Sequence, residues 1–342
     1  MAFADPLAAA PGVPVDAPLP STLLTGPVPA PWPARLAAPR EKLWERWDRL
    51  HRGTRDLPEY RQVRAASPHG APFVVAVINQ KGGTGKTTTT INLSAALAYM
   101  GHATLMVDLD PQGHTTIGIG VDPDSFVESM AEVMSIPKKC ASDIILSTYI
   151  PKLFLAPARI HLAHVAEQVY TRVFREAILH QALQCLSYDF IFIDCPPSLG
   201  VLTINALYAC HFIIIPCQIS RYSLDGLADL LYTVELVKNL SPQDLLQRDV
   251  FRILLTMFDR RNRVTNEYIL EEIKPYRNHT FTSIIMKNEA LNQAQIEQKA
   301  IFDFDPQCSG SQDYQQLAEE FLQVYQRLTG DSGKEQALPT TG

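Results

Sequence analysis

The apolar run Phe73-Val-Val-Ala-Val-Ile78 leads, after Asn79 and Gln80, into Lys81-Gly-Gly-Thr-Gly-Lys-Thr-Thr88. Few folds accept that succession. An unbroken run of apolar residues rich in valine reads as a strand buried on both faces. Gly82, Gly83 and Gly85 then allow backbone conformations closed to other residues. The segment Ile91-Asn-Leu-Ser-Ala-Ala-Leu-Ala98 resumes as a helix. A strand, a glycine loop and a helix N-terminus gather inward-turned N–H groups and the positive end of a helix dipole, a setting that suits phosphate. In such a loop Lys86 reaches the β- and γ-phosphates of a nucleotide and the Thr87 hydroxyl holds Mg²⁺. Thr84 and Thr88 complete the loop, and Lys81 adds a second cation at its start. A glycine turn with no ligand is the alternative, but it leaves the flanking strand and helix without a purpose.

The rest of the chain repeats the alternation. Strands are expected at 73–79, 103–108, 152–156, 189–194, 212–217, 252–258 and 281–285. Helices are expected at 87–100, 163–186, 202–209, 223–239, 265–275 and 311–328. Most strand candidates are continuous apolar runs, which implies burial on both faces and a mostly parallel central sheet between two helical layers. The fold class is therefore α/β, a three-layer P-loop nucleotide-binding fold, expected over residues 71–330.

Two further segments end strands in acids. Ligands bind at the C-terminal edge of a parallel sheet, so Asp108 and Asp110 of Val107-Asp-Leu-Asp-Pro-Gln-Gly113 face the phosphate loop. One carboxylate there can organise Mg²⁺ or the loop lysine, and the other can orient a water for attack on the γ-phosphate. An Asp-Pro turn with solvated acids is the plainer alternative. In Tyr188-Asp-Phe-Ile-Phe-Ile-Asp-Cys-Pro-Pro197, Asp194 closes an apolar strand where P-loop enzymes support the metal shell. The neighbouring Cys195 reads as a packed small residue.

The termini differ from this core. Residues 1–34 are rich in Pro, Ala and Leu and read as a disordered tail. Residues 35–70 read as a basic helical extension, with Leu43, Trp47 and Leu50 on one face of a helix at 39–52. From Arg35 to Arg64 there are nine Arg/Lys against five Asp/Glu, which suits DNA, an acidic surface or an amphipathic helix docked on a neighbour. Residues 331–342 read as a flexible tail. The N-terminus lacks the pattern of a secretory signal and no run approaches a membrane span, so a cytoplasmic protein is expected. Six cysteines without a Cys-x-x-Cys pair are expected to be free, buried thiols. The net charge of −6 excludes a surface coated in positive charge but not a local basic face.

Taken together, Lys81-Gly-Gly-Thr-Gly-Lys-Thr-Thr, Asp108-Leu-Asp-Pro-Gln-Gly, Asp194-Cys-Pro-Pro-Ser and Thr256-Met-Phe-Asp-x-Arg resemble the ParA/MinD group of deviant Walker ATPases, from about Phe73 to about Leu328. Ile215-Pro-Cys-Gln, Ser223-Leu-Asp-Gly-Leu and Glu235-Leu-Val-Lys238 are most similar to the ParA branch of DNA partition ATPases. The resemblance implies a slow, partner-stimulated ATPase using ATP and Mg²⁺. It also implies that two protomers sandwich two ATP molecules, with Lys81 reaching the partner's phosphates. Carried over by position, it implies that Lys86 binds phosphate, that Thr87, Asp108 and Asp194 serve the metal, with Asp108 in the switch region, and that Asp110 positions the attacking water. It likewise implies that Met286 and Asn288 line the adenine pocket. It further implies a ParB-like activator, non-specific DNA and a nucleoid-associated location.

In that branch part of the DNA-binding face follows the late strand and often carries two arginines. Here Ile284-Ile-Met-Lys-Asn-Glu-Ala-Leu-Asn-Gln-Ala294 keeps Lys287 but has Ala290 at the second position, beside Glu289. Arg260, Arg261, Arg263 and Arg221 form an alternative basic patch or a solvated loop. The resemblance implies an ATPase that segregates DNA, plasmid or chromosome; the alternatives are one that positions a protein assembly on the nucleoid and a nucleotide-gated interaction protein. A MinD-like spatial regulator usually needs a C-terminal amphipathic helix, which Gly333-Lys-Glu-Gln-Ala-Leu-Pro-Thr-Thr-Gly342 does not provide. An iron–sulfur reductase would need paired cysteines that Cys140 and Cys195 do not supply.

Overall fold

The computed structural model describes residues 71–218 and 225–330. The expected tail at 1–34, the extension at 35–70, Arg221 and the tail at 331–342 lie outside the described residues.

The element order begins β1 (Phe73–Val77), α1 (Lys86–Tyr99), β2 (Thr104–Asp108), α2 (His114–Gly118) and α3 (Met130–Ser135). It continues through β3 (Leu146–Ser147), β4 (Leu153–Ala156), α4 (His161–Val169), α5 (Ile178–Leu183), β5 (Phe190–Asp194) and α6 (Val201–Ala209). Then follow β6 (Phe212–Gln218), α7 (Asp225–Lys238), α8 (Pro242–Gln247), β7 (Phe251–Thr256) and α9 (Arg263–Glu272). The last are α10 (Glu289–Ile296), α11 (Ile301–Phe304) and α12 (Ser309–Thr329). The strands form one sheet in the order β3-β4-β2-β5-β1-β6-β7, parallel except for the short edge strand β3. This is the mostly parallel α/β fold expected.

Strand β1 shows why its sequence has no alternation. Val74 and Ala76 enter the core on one face, among helices α3 to α8. Phe73, Val75 and Val77 enter the core on the other, against α1 and α12. Both faces are covered, so both parities must be apolar. Tyr314 and Phe321 of α12, each about 1% exposed or less, are among the largest side chains of the second core. Among the described residues no helix is long and apolar enough to cross a membrane.

Three expectations need correction. Segment 281–285 is not a strand. It runs beside β7, with Phe281 N–H donating to Ile253 O and Ile285 N–H to Leu255 O. Between these, the Thr282 and Ser283 N–H groups turn to the Glu320 carboxylate of α12, each at 2.8 Å, so the ladder is interrupted. The single helix expected over 163–186 is two helices. Phe174, at φ 56°, takes a left-handed conformation between them. Asn205 then holds the next turn, donating to Arg175 O and accepting from Leu179 N–H. Finally, Cys140 and Cys185 form a disulfide. They are 45 residues apart, and only the packing of this face brings them together, which a search for close spacings cannot detect. Cys195, Cys210 and Cys217 are free and buried, whereas free Cys308 is half-buried and caps α12.

Candidate nucleotide and metal site

The site forms where β1, β2, β5 and β7 end on the same edge of the sheet. Residues Val77, Asp194 and Asp108 lie side by side in register across β1, β5 and β2. The phosphate loop leaves β1 and is fastened on both sides. Asn79 accepts from Lys81 N–H and donates to Pro216 O at 2.7 Å, and Thr256 at the end of β7 donates to Thr84 O at 2.8 Å. Gly83 and Gly85 have φ of 72° and 90°, so the turn into α1 requires glycine at both positions.

Lys86 opens α1 and is 8% exposed. Its ammonium donates to Lys81 O at 3.1 Å, which spans the loop mouth where a phosphate would sit. Burial lowers its pKa, while Asp194, Cys195 and Asp110 favour its charge. Lys81 is half-buried at the start of the loop, and Gly82 and Gly83 are exposed. Thr88 accepts from Gln295 of α10, so the last loop threonine is tied to the C-terminal helices.

The three acids sit in different surroundings. Asp194 is 1% exposed. Its Oδ2 accepts from the Thr87 hydroxyl at 2.7 Å and from the Thr115 hydroxyl at 2.6 Å. Its Oδ1 is buried with no hydrogen-bond partner. Burial pushes this carboxyl up to about 6, against the opposing pull of the two hydroxyls and Lys86. Asp108 is fully buried and is pushed up to about 8, first by burial and then by the neighbouring Asp194 charge. Its Oδ2 accepts from Thr116 N–H and hydroxyl at 2.8 and 2.7 Å, and its Oδ1 accepts from Asp110 N–H. Asp110 is 8% exposed and its Oδ1 accepts from Gln112 N–H. Gly113 ends this turn at φ 66°, where an added Cβ would stand 3.2 Å from Ala158 O.

The donor set fits a small hard cation. A threonine hydroxyl and an oxygen-bearing carboxylate are the ligand types Mg²⁺ takes beside phosphates and water. The orphaned Asp194 Oδ1 would offer an acceptor to a metal-bound water, because a buried carboxylate oxygen without a donor is costly. Cys195 is fully buried and burial raises its thiol pKa, as suits a packed small residue.

The other predicted residues lie apart from this cluster. Met286 N–H donates to Asp313 at 2.9 Å. The Asn288 side chain caps α10 through Ala290 N–H and donates to Ser309. Arg260, Arg261, Arg263 and Lys287 are all exposed, and the Lys287 N–H bond to Phe258 O brings its segment alongside the β7 exit. Arg261 pairs with Asp259 at 2.7 Å. Ala290 is half-buried against the second core. Thr115, Thr116 and Gln295 carry contacts of this site that the motifs do not point to, whereas Thr256 belongs to one of those motifs. Thr115 and Thr116 follow the Asp-Pro-Gln-Gly turn after His114, and a hydroxyl pair just past a ligand-side turn is a usable signal.

A family described as an AAA domain matches residues 73–247. The chain is 40% identical over 250 residues to the sporulation initiation inhibitor protein Soj of Bacillus subtilis, covering 72% of this chain and 97% of that protein. It is 36% identical over 252 residues to the chromosome partitioning protein ParA of Myxococcus xanthus, covering 73% and 87%. A crystal structure of cobyrinic acid a,c-diamide synthase from Mycobacterium smegmatis with bound ATP analogue and magnesium matches with a TM-score of 0.62 at 32% identity, covering 75% of this chain and 96% of that one. With a phosphate loop, a second loop lysine and strand-end acids on this fold, the chain belongs to the ParA/MinD family of P-loop ATPases.

Proposed function

We propose that the chain is a ParA-type partition ATPase that hydrolyses ATP with Mg²⁺, dimerises around nucleotide, and cycles on and off non-specific DNA under a ParB-like activator. The carrying observation is the meeting of Thr87 with Asp194 beside Lys86, with one Asp194 oxygen left bare. The relatives named for chromosome partitioning support the partition role. Thr87 and Asp194 would hold Mg²⁺, which neutralises charge on the phosphate oxygens. Lys86 exchanges the Lys81 carbonyl for phosphate, losing one backbone bond and gaining a full opposite charge. Asp110 orients the attacking water and receives its proton. Lys81 crosses to the partner protomer's phosphates and stabilises charge developing there. Loss of the γ-phosphate releases the Asp110 turn and α2, which opens the dimer. The protein acts in the cytoplasm, on the nucleoid.

The test is co-sedimentation of the full chain with DNA in ATP, in ADP and without nucleotide, repeated across salt. Binding that needs ATP and falls with salt is expected. Absence of binding in every condition would overturn the DNA step and leave protein positioning as the role.

A further inference from the structure

Helix α2 has only five residues, yet its two threonines reach carboxylates on two different strands. Thr115 donates to Asp194 Oδ2 at the end of β5, at 2.6 Å. Thr116 donates to Asp108 Oδ2 at the end of β2 and accepts from Ala158 N–H. Both are 0% exposed. Neighbouring helical residues point about 100° apart, so α2 bridges the strand ends only because Asp108 and Asp194 stand in register.

The two hydroxyls on Asp194 act on the same oxygen. Thr87 and Thr115 both donate to Oδ2, and among the described residues nothing donates to Oδ1. A carboxylate held by one donor can rotate about χ2, whose preferences are broad. A second donor, from a different element, fixes the plane and so fixes where Oδ1 points. From these contacts we infer that Thr115 is a positioning residue for the metal: it holds the Asp194 plane so that the bare oxygen meets a metal-bound water. The inference rests on the nucleotide and Mg²⁺ reading above and adds a residue to it. It also gives α2 a mechanical role. The helix follows Asp110 by one tight turn through Gly113, so the water-orienting acid and the metal-side acid share one support.

Outer partners that aim a metal-side carboxylate typically change metal affinity 10- to 100-fold when removed. The experiment titrates Mg²⁺ into the full chain with a fluorescent ATP analogue, alongside binding in EDTA and thermal unfolding of each variant. Thr115→Val keeps the shape and removes the hydroxyl. Thr115→Ser and Thr115→Ala both remove the methyl and differ only in the oxygen, so that pair decides the matter even if the valine variant folds poorly. Thr115→Val and Thr115→Ala are expected to need about tenfold more Mg²⁺ for half-saturation, with binding in EDTA unchanged. Thr115→Ser should keep the wild-type Mg²⁺ dependence. Equal Mg²⁺ half-points for Ser and Ala, with a wild type that responds to Mg²⁺, would overturn this inference alone. A wild type that binds the analogue in neither condition would overturn the nucleotide reading and the inference with it.

Discussion

At the residue scale, Asp110 is separated from the other two acids by its surroundings. Asp108 and Asp194 are engaged by threonine hydroxyls, whereas Asp110, 8% exposed, has its carboxylate bound to one backbone N–H. That leaves it able to turn toward a water. Asp110→Asn keeps the turn and removes the base, and it should cut ATP turnover by about 10²-fold or more while ATP-dependent self-association persists. Single-turnover assays with sizing of the ATP-bound species check both halves, and undiminished turnover would reassign the role. His279 makes a different prediction. It is 3% exposed, stacks on Phe251 at 4.6 Å and bonds Leu246 O. Burial, then the Arg252 charge, holds it down at about 4. Its folded value lies below the ordinary 6.5, so the unfolded chain takes up the proton first. The stability it contributes is complete above about pH 6.5 and is lost as pH falls toward 4, by at most about 3 kcal/mol. Denaturant unfolding of the wild type and of His279→Gln between pH 7 and pH 4 should show the steeper acid loss in the wild type.

At the scale of elements, the legible parts are those whose signal is local. β1, β2, β5 and β6 are apolar on both parities because helices cover both faces, and that leaves a continuous run in the chain. Lys86, Thr87 and Asp194 were legible for a related reason, since each lies at a strand end or a glycine loop. The Thr115 and Thr116 contacts depend on the register of β2 with β5, which no short window contains. The same holds for the Cys140–Cys185 disulfide. Segment 281–285 has the composition of a strand, but its Thr282 and Ser283 N–H groups are satisfied by Glu320, 38 and 37 residues away in sequence. Two hydrogen bonds to one charged acceptor are worth about 2–3 kcal/mol or more together. Glu320→Ala should therefore lower stability by about 2 kcal/mol in urea unfolding, and amide exchange at Thr282 and Ser283 should accelerate. Unchanged exchange at both would mean that the carboxylate does not hold this edge.

At the scale of the whole molecule, two surfaces decide whether the chain acts as a partition ATPase. The first is the face around Lys81. If that lysine reaches a second protomer, Lys81→Ala should weaken ATP-dependent dimerisation, read by sedimentation, without abolishing nucleotide binding through Lys86. The second is the edge that carries Arg260, Arg261, Arg263 and Lys287. A net charge of −6 means that attraction of the molecule as a whole cannot hold DNA, so any binding must come from a local array of cations. These cations are not equal. Arg261 is 83% exposed but is paired with Asp259, and a guanidinium already matched to a carboxylate releases fewer counterions from DNA. Arg263 opens α9 and Lys287 precedes the Asn288 cap of α10, and each can add one phosphate contact. Each such contact contributes about 0.9 to the slope of log affinity against log salt. Arg263→Ala and Lys287→Ala should each flatten the slope by about 1 in the presence of ATP, and Arg261→Ala by less. Three unchanged slopes with binding intact would remove this edge from the DNA-binding surface and direct the search to residues 35–64, where positive charge also accumulates.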